Sequence, residues 1–141
     1  MTVTLGPDLE LQGAIVTALS ASADLKALLG NPIRVYQDVP DTAVFPYITI
    51  GESQVIPDLA ECVDGSEVYP VIHIWSRASG FAEAKKISAT IWAALAMATL
   101  SLSENRCLVF ERDELGDQIM RDPDGVTKHI ASHYRAVLEP V

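Results

Sequence analysis

The chain has 141 residues, 49% of them hydrophobic and 21% charged, with 10 basic against 19 acidic side chains and a net charge of −9. That length suits a single domain, 1–141, with one core, and the charge excludes a nucleic-acid-binding surface, which needs clustered Lys and Arg to neutralise phosphates. Two cysteines without metal-ligand spacing, Cys62 and Cys107, exclude a zinc site of the usual kind and suit a reducing compartment.

Residues 1–7 read as a flexible arm without the basic start and apolar run of a signal peptide. Asp8 suits an N-cap, and Leu9, Leu11, Ile15, Ala18 and Leu19 follow with helical spacing. Ser20-Ala21-Ser22 loosens this helix. A second short helix, 23–29, ends at Gly30, an expected αL C-cap, and Pro32 stops it. Ile33 to Tyr36 is a short strand. Asp38-Val39-Pro40-Asp41 is turn chemistry. A strand from Tyr47 to Val55 places Ile48 and Ile50 on one face and Tyr47 and Thr49 on the other. A long, polar hairpin loop is expected over 56–66.

The stretch from Tyr69 to Leu95 organises the rest. Val71, His73 and Trp75 alternate with Ile72 and Ile74, the period of a strand. After Ser79-Gly80, either of which suits a cap, Ala84, Ile87, Ile91, Leu95 and Ala98 share one helix face. The apolar run 91–102 is shorter than the roughly 20 residues of a membrane span and reads as a buried helix end. Cys107 to Phe110 opens a strand that turns charged at Glu111-Arg112-Asp113-Glu114 and is expected to run past the core. Asp122-Pro123-Asp124-Gly125 is a turn. In the last strand, 127–139, Ile130, Ser132, Tyr134, Ala136 and Leu138 alternate with His129, Ala131, His133, Arg135 and Val137. The fold class is therefore α+β: one mainly antiparallel sheet of four to five strands with two or three helices packed against it. The step through 81–98 is compatible with a right-handed crossover.

Little in this pattern carries chemistry. His129 and His133 have metal-ligand spacing on a helix, but on a strand four residues span roughly 13 Å, so the pair reads as two surface histidines. His73, in mid-strand, reads as a satisfied core residue. The 122–125 turn lacks the ligand positions of a calcium loop. No Gly-x-Ser-x-Gly, no phosphate-cradling glycine loop and no carboxylate pair at catalytic spacing occurs. No catalytic residue, cofactor site or metal site is assigned.

Several segments together resemble the tail completion (tail terminator, or head–tail joining) family of long-tailed phages and gene transfer agents. They are Leu11-Gln12-Gly13-Ala14-Ile15; Ile33-Arg34-Val35-Tyr36 with Val39-Pro40; Phe45-Pro46-Tyr47-Ile48-Thr49-Ile50-Gly51; Ile74-Trp75-Ser76-Arg77 with Gly80 and Glu83-Ala84-Lys85; and Arg121-Asp122-Pro123-Asp124-Gly125 with Thr127 and His129. They occur in the family's order and cover nearly the whole chain. One departure is the segment before Cys107, which is short and lacks a turn glycine.

The resemblance implies a structural particle protein with no catalysis and no cofactor. Such a protein forms a homo-oligomeric ring, expected as a hexamer, on the head-proximal end of the tail tube. There it stops tube growth and joins the tail to the capsid connector. Its implied partners are the tail tube protein and the head-completion (stopper) protein of the connector, at the tail neck of a particle assembled in the bacterial cytoplasm. DNA passes through the lumen without specific binding, and no membrane is involved. Acidic residues clustered in loops and strand ends, Asp58, Glu61, Asp64, Asp113, Glu114 and Asp117, are the expected interface or lumen positions, since like charge disfavours DNA contact. The competing readings are a soluble ligand-binding or regulatory α+β domain with an apolar pocket, and a small hydrolase using Cys62 or Cys107.

Overall fold

The computed structural model describes residues 5–58 and 65–141. The elements run α1 (Pro7–Ser20), α2 (Ala23–Leu29), β1 (Val35–Tyr36), β2 (Tyr47–Asp58), β3 (Gly65–Ser76), α3 (Ala82–Met97), β4 (Asn105–Arg121) and β5 (Lys128–Pro140). The strands form one five-stranded sheet in the order β1-β2-β3-β5-β4. β1 pairs with β2 in parallel, and every other pairing is antiparallel. Both β3 and β4 are antiparallel to β5, so the connection through α3 is a crossover that skips one strand and leaves β4 at the sheet edge.

Period-2 alternation decides which face is covered. Ile48, Ile50, Ile72, Ile74, Ile130, Tyr134, Ala136 and Leu138 are buried and pack against one another and the helices. The helices answer with Leu11, Ile15 and Leu19 of α1, Leu25 and Leu29 of α2, and Ala84, Ile87, Ile91 and Leu95 of α3. Each large side chain removed from water contributes roughly 1.5–3 kcal/mol. The polar groups inside this layer are paired. Glu10 of α1 is buried, and its carboxylate accepts from the backbone N–H groups of Glu104, at 3.1 Å, and Asn105, at 3.0 Å. That bond anchors the start of β4 to the first helix. Ser88 of α3 donates to Asp117 of β4 and lies 3.3 Å from the Ser132 hydroxyl of β5.

The expected fold class is what is observed, with local differences. α1 starts at Pro7 behind Gly6, and Asp8 is not the cap. Proline at the first helical position is pre-organised for the helix, and the Asp8 carboxylate instead accepts from Ser53 Oγ at 2.7 Å. The break at 20–22 is itself a cap, because Ser22 Oγ accepts from Leu25 N–H to start α2. Gly30 has φ 88 with ψ 173, so it departs from the αL cap while still using glycine's freedom. Neither Ser79 nor Gly80 caps α3; Phe81 precedes it without a side-chain cap. Met97 at the helix end is exposed, not buried. β2 and β3 pair as far as Asp58 and Gly65, so the loop expected over 56–66 narrows to 59–64, outside the described residues, as are 1–4 of the expected arm. Leu5, within that arm, donates its N–H to the Glu104 carboxylate at 2.8 Å.

Candidate functional site

With all three helices on one face, the other face of the sheet is uncovered by the described residues. Across it lie Tyr47, Thr49 and Glu52 of β2, Tyr69, Val71, His73 and Trp75 of β3, and His129, Ala131, His133 and Arg135 of β5, as the registers Tyr47↔Trp75, Thr49↔His73, Trp75↔His129 and Val71↔His133 require. Near the start of β5 this face is aromatic. The His129 ring stacks on Trp75, with centroids 3.9 Å apart and planes at 7°. His73 Nδ1 lies 2.7 Å from His129 Nε2, and its Nε2 lies 3.0 Å from the Glu52 carboxylate. Trp75 Nε1–H donates to Thr49 Oγ1 at 3.2 Å. Beyond Trp75, the Arg77 guanidinium sits over the Phe45 ring, which packs on Tyr47.

Toward the other end the same face is a charged lattice. Arg135 donates to Glu111 at 2.9 Å and to Glu67 at 3.1 Å, and Glu67 also accepts from the Tyr69 hydroxyl at 2.6 Å. The Tyr69 and Arg135 bonds hold the Glu67 carboxyl below its usual range. Two shallow depressions open here. One of about 330 Å³ is lined by Glu52, Tyr69, Val71, Asp113, Leu115 and His133. The other, of about 350 Å³, is lined by Glu111, Asp113, Glu114 and Arg135 among others.

The expected acidic positions divide. Asp113 and Glu114 sit together in a bulge of β4, between Arg112 and Asp117, where the register with β5 shifts. Asp117 lies in the same strand, but its carboxylate turns to the helix side and accepts from Ser88. Asp58 ends β2, while Glu61 and Asp64 lie outside the described residues. The histidine expectations also change. His129 and His133 share a strand but not a site, whereas His73 is no core residue and pairs with His129 from the neighbouring strand. The diagonal that brings them together depends on β3 lying beside β5, which the linear spacing does not show.

The Cys107 thiol donates to Val109 O, and burial pushes its pKa up, opposite to what an activated nucleophile needs. Cys62 lies outside the described residues. Burial likewise raises the Tyr134 hydroxyl. Among the described residues no group of three or more His, Cys, Asp or Glu is placed to hold a metal ion. No helix of the described residues is long and apolar enough to cross a membrane. An open apolar groove of about 750 Å³ runs between α1 and the end of α3, past Leu9, Ala14, Ala18, Ala98 and Leu102.

Comparison with known proteins agrees with this picture. No curated protein matches the chain. Among solved structures, a chain from the virion of a native gene transfer agent (GTA) particle superimposes with a TM-score of 0.85 at 28% identity, covering 96% of this chain and 99% of that one. The gp17 protein of bacteriophage SPP1 superimposes with a TM-score of 0.62 at 26% identity, covering 92% of this chain and 88% of that one. The family model described as tail completion protein gp17 matches residues 13–139. With nearly its whole length matched, the chain belongs to the tail completion protein gp17 family, a family of structural phage-tail proteins.

Proposed function

We propose that this protein forms a ring, a hexamer, on the head-proximal end of a tail tube, where it stops tube growth and joins the tail to the stopper protein of the capsid connector. The observation that carries the reading is the likeness over 96% of the chain to a protein in a gene transfer agent virion. Two features of the fold support it. The sheet has two dissimilar edges, the two-residue β1 and the 17-residue β4, and one uncovered face. Dissimilar edges favour head-to-tail contacts, which close into rings when the rotation allows. The ring sits at the tail neck of a phage or phage-like particle assembled in the bacterial cytoplasm. Asp58, Glu61, Asp64, Asp113 and Glu114 face the lumen or the adjoining tube, and DNA passes without specific binding because like charges repel. Asp117, bonded to α3, takes part through the position of β4.

The test is mass by light scattering across concentration, with negative-stain images, on the protein alone and with added tube protein. Hexameric rings with a central hole, free or at one end of tubes of arrested length, are the expected result. A monomer that also ignores tube protein overturns the reading. Its apolar groove beside α1 would then direct attention to a ligand-binding role.

A further inference from the structure

We propose that Glu52, His73 and His129 form a proton-operated latch across the uncovered sheet face, closed with at most one imidazole charged and open when both are. The latch is a property of the sheet itself and goes beyond the role at the tail neck. Glu52 Oε2 lies 3.0 Å from His73 Nε2. An ionised carboxylate only accepts, so this nitrogen carries the hydrogen. In the neutral pair, His73 Nδ1 is then a bare lone pair, and His129 Nε2–H donates to it across 2.7 Å. The first added proton goes to the one bare nitrogen left, His129 Nδ1, and the hydrogen bond from His129 Nε2–H to His73 becomes charge-assisted. A second proton puts a hydrogen on both facing nitrogens. No acceptor remains, two cations meet, and the contact must separate.

The surroundings set when this happens. Burial, and then the neighbouring His73, hold His129 below the ordinary histidine range, against Asp122 from the turn after β4 and Glu52 from β2, which favour its charge. β4 presents uncharged Met120 opposite His129. On β3 the flanking groups are Val71 and Trp75, and β2 adds Thr49 opposite His73. His133, two positions along the same face of β5, is the next titratable group. Arg77 and Lys128 are engaged at the strand ends, with Thr127 and with the Val126 carbonyl respectively. The latch ties β2, β3 and β5 together and holds the Trp75 ring flat on His129. Opening it unstacks the indole and leaves two imidazolium groups on the face beside the Glu52 carboxylate.

Imidazole ¹⁵N NMR on the full chain from pH 8 to 4 tests this, with Trp75 fluorescence followed in a Trp92→Phe background. Expected are an Nε2–H tautomer at His73 near neutrality and two separate protonation steps. The second falls below the ordinary midpoint of ~6.5, and the Trp75 emission changes with it. In His73→Asn, His129 should titrate in one step closer to that ordinary midpoint. Both rings titrating together near ~6.5, or a His129 midpoint unmoved in a folded His73→Asn, overturns the latch. Should that variant fail to fold, the tautomer and step pattern of the natural chain decide.

Discussion

Glu10 shows what one side chain does for the fold. Its carboxylate satisfies two backbone N–H groups at the start of β4, almost a hundred residues away in the chain. Glu10→Ala leaves buried donors without a partner and should cost about 2–3 kcal/mol, measured as a lower urea midpoint with an unchanged slope. Asp124 acts more locally. Its carboxylate accepts from Thr127 Oγ1 and from the N–H groups of Thr127 and Val126, and these bonds lower its pKa to about 2. The folded value lies below the ordinary carboxylate value of about 3.9. The contribution is therefore complete above that value and is lost as pH falls from about 4 through about 2. A loss of amide-exchange protection at Val126 and Thr127, taken relative to the intrinsic rate at each pH, should appear in that window. Asp124→Asn, whose amide oxygen still accepts from these N–H groups but does not titrate, should show no such step.

At the scale of elements, β4 matters most. It is an edge strand of 17 residues, and an unprotected edge of that length invites uncontrolled pairing. Two register shifts interrupt it, and Gly116 turns through φ 57 within the second. Nothing lies near the position a Cβ would take there, so Gly116→Ala meets only the backbone penalty of the left-handed region. It should lower stability by about 1 kcal/mol in chemical denaturation. A larger loss would mean that the bulge is tied down by contacts that this geometry lacks. The helix α3 makes the reverse point. Its buried stripe, Ala84, Ile87, Ile91 and Leu95, is apolar at the spacing of three and four that places one face on the sheet.

For the whole molecule, charge and the uncovered face act together. Each copy carries −9, so copies repel at low ionic strength, while the aromatic and apolar contacts of the open face do not depend on salt. Self-association should therefore strengthen when salt rises from roughly 0.05 M to 0.5 M, as screening shortens the reach of the repulsion from more than 10 Å to a few ångströms. Light scattering at the two concentrations reads this directly, and weaker association at high salt would show that ion pairs hold the copies. Reversing Asp113 and Glu114 to lysine should leave the fold intact, since both are in the edge bulge, and reduce joining of tails to heads.

The sequence by itself determined the fold class, the alternation of β2, β3 and β5 and the family, because each is written in local order. Alternation places Ile72 and Ile74 against His73 and Trp75 whatever the neighbours are, and the ordered segments around Phe45-Pro46-Tyr47 and Asp122-Pro123-Asp124-Gly125 carry the resemblance. Strand ends were less legible, since pairing carried β2 to Asp58 through residues whose own preferences are those of a loop. Of the sheet order, the β2–β3 hairpin and the turn joining β4 to β5 were legible, and the rest was not. Only the tertiary structure decided that β5 lies between β3 and β4, so that His73 meets His129, Arg135 is held between Glu67 and Glu111, and Asp117 parts from Asp113 and Glu114. The physical reason is that these contacts join residues from 24 to 68 positions apart. A pairing across that distance is fixed by how whole elements pack, and not by any spacing along the chain.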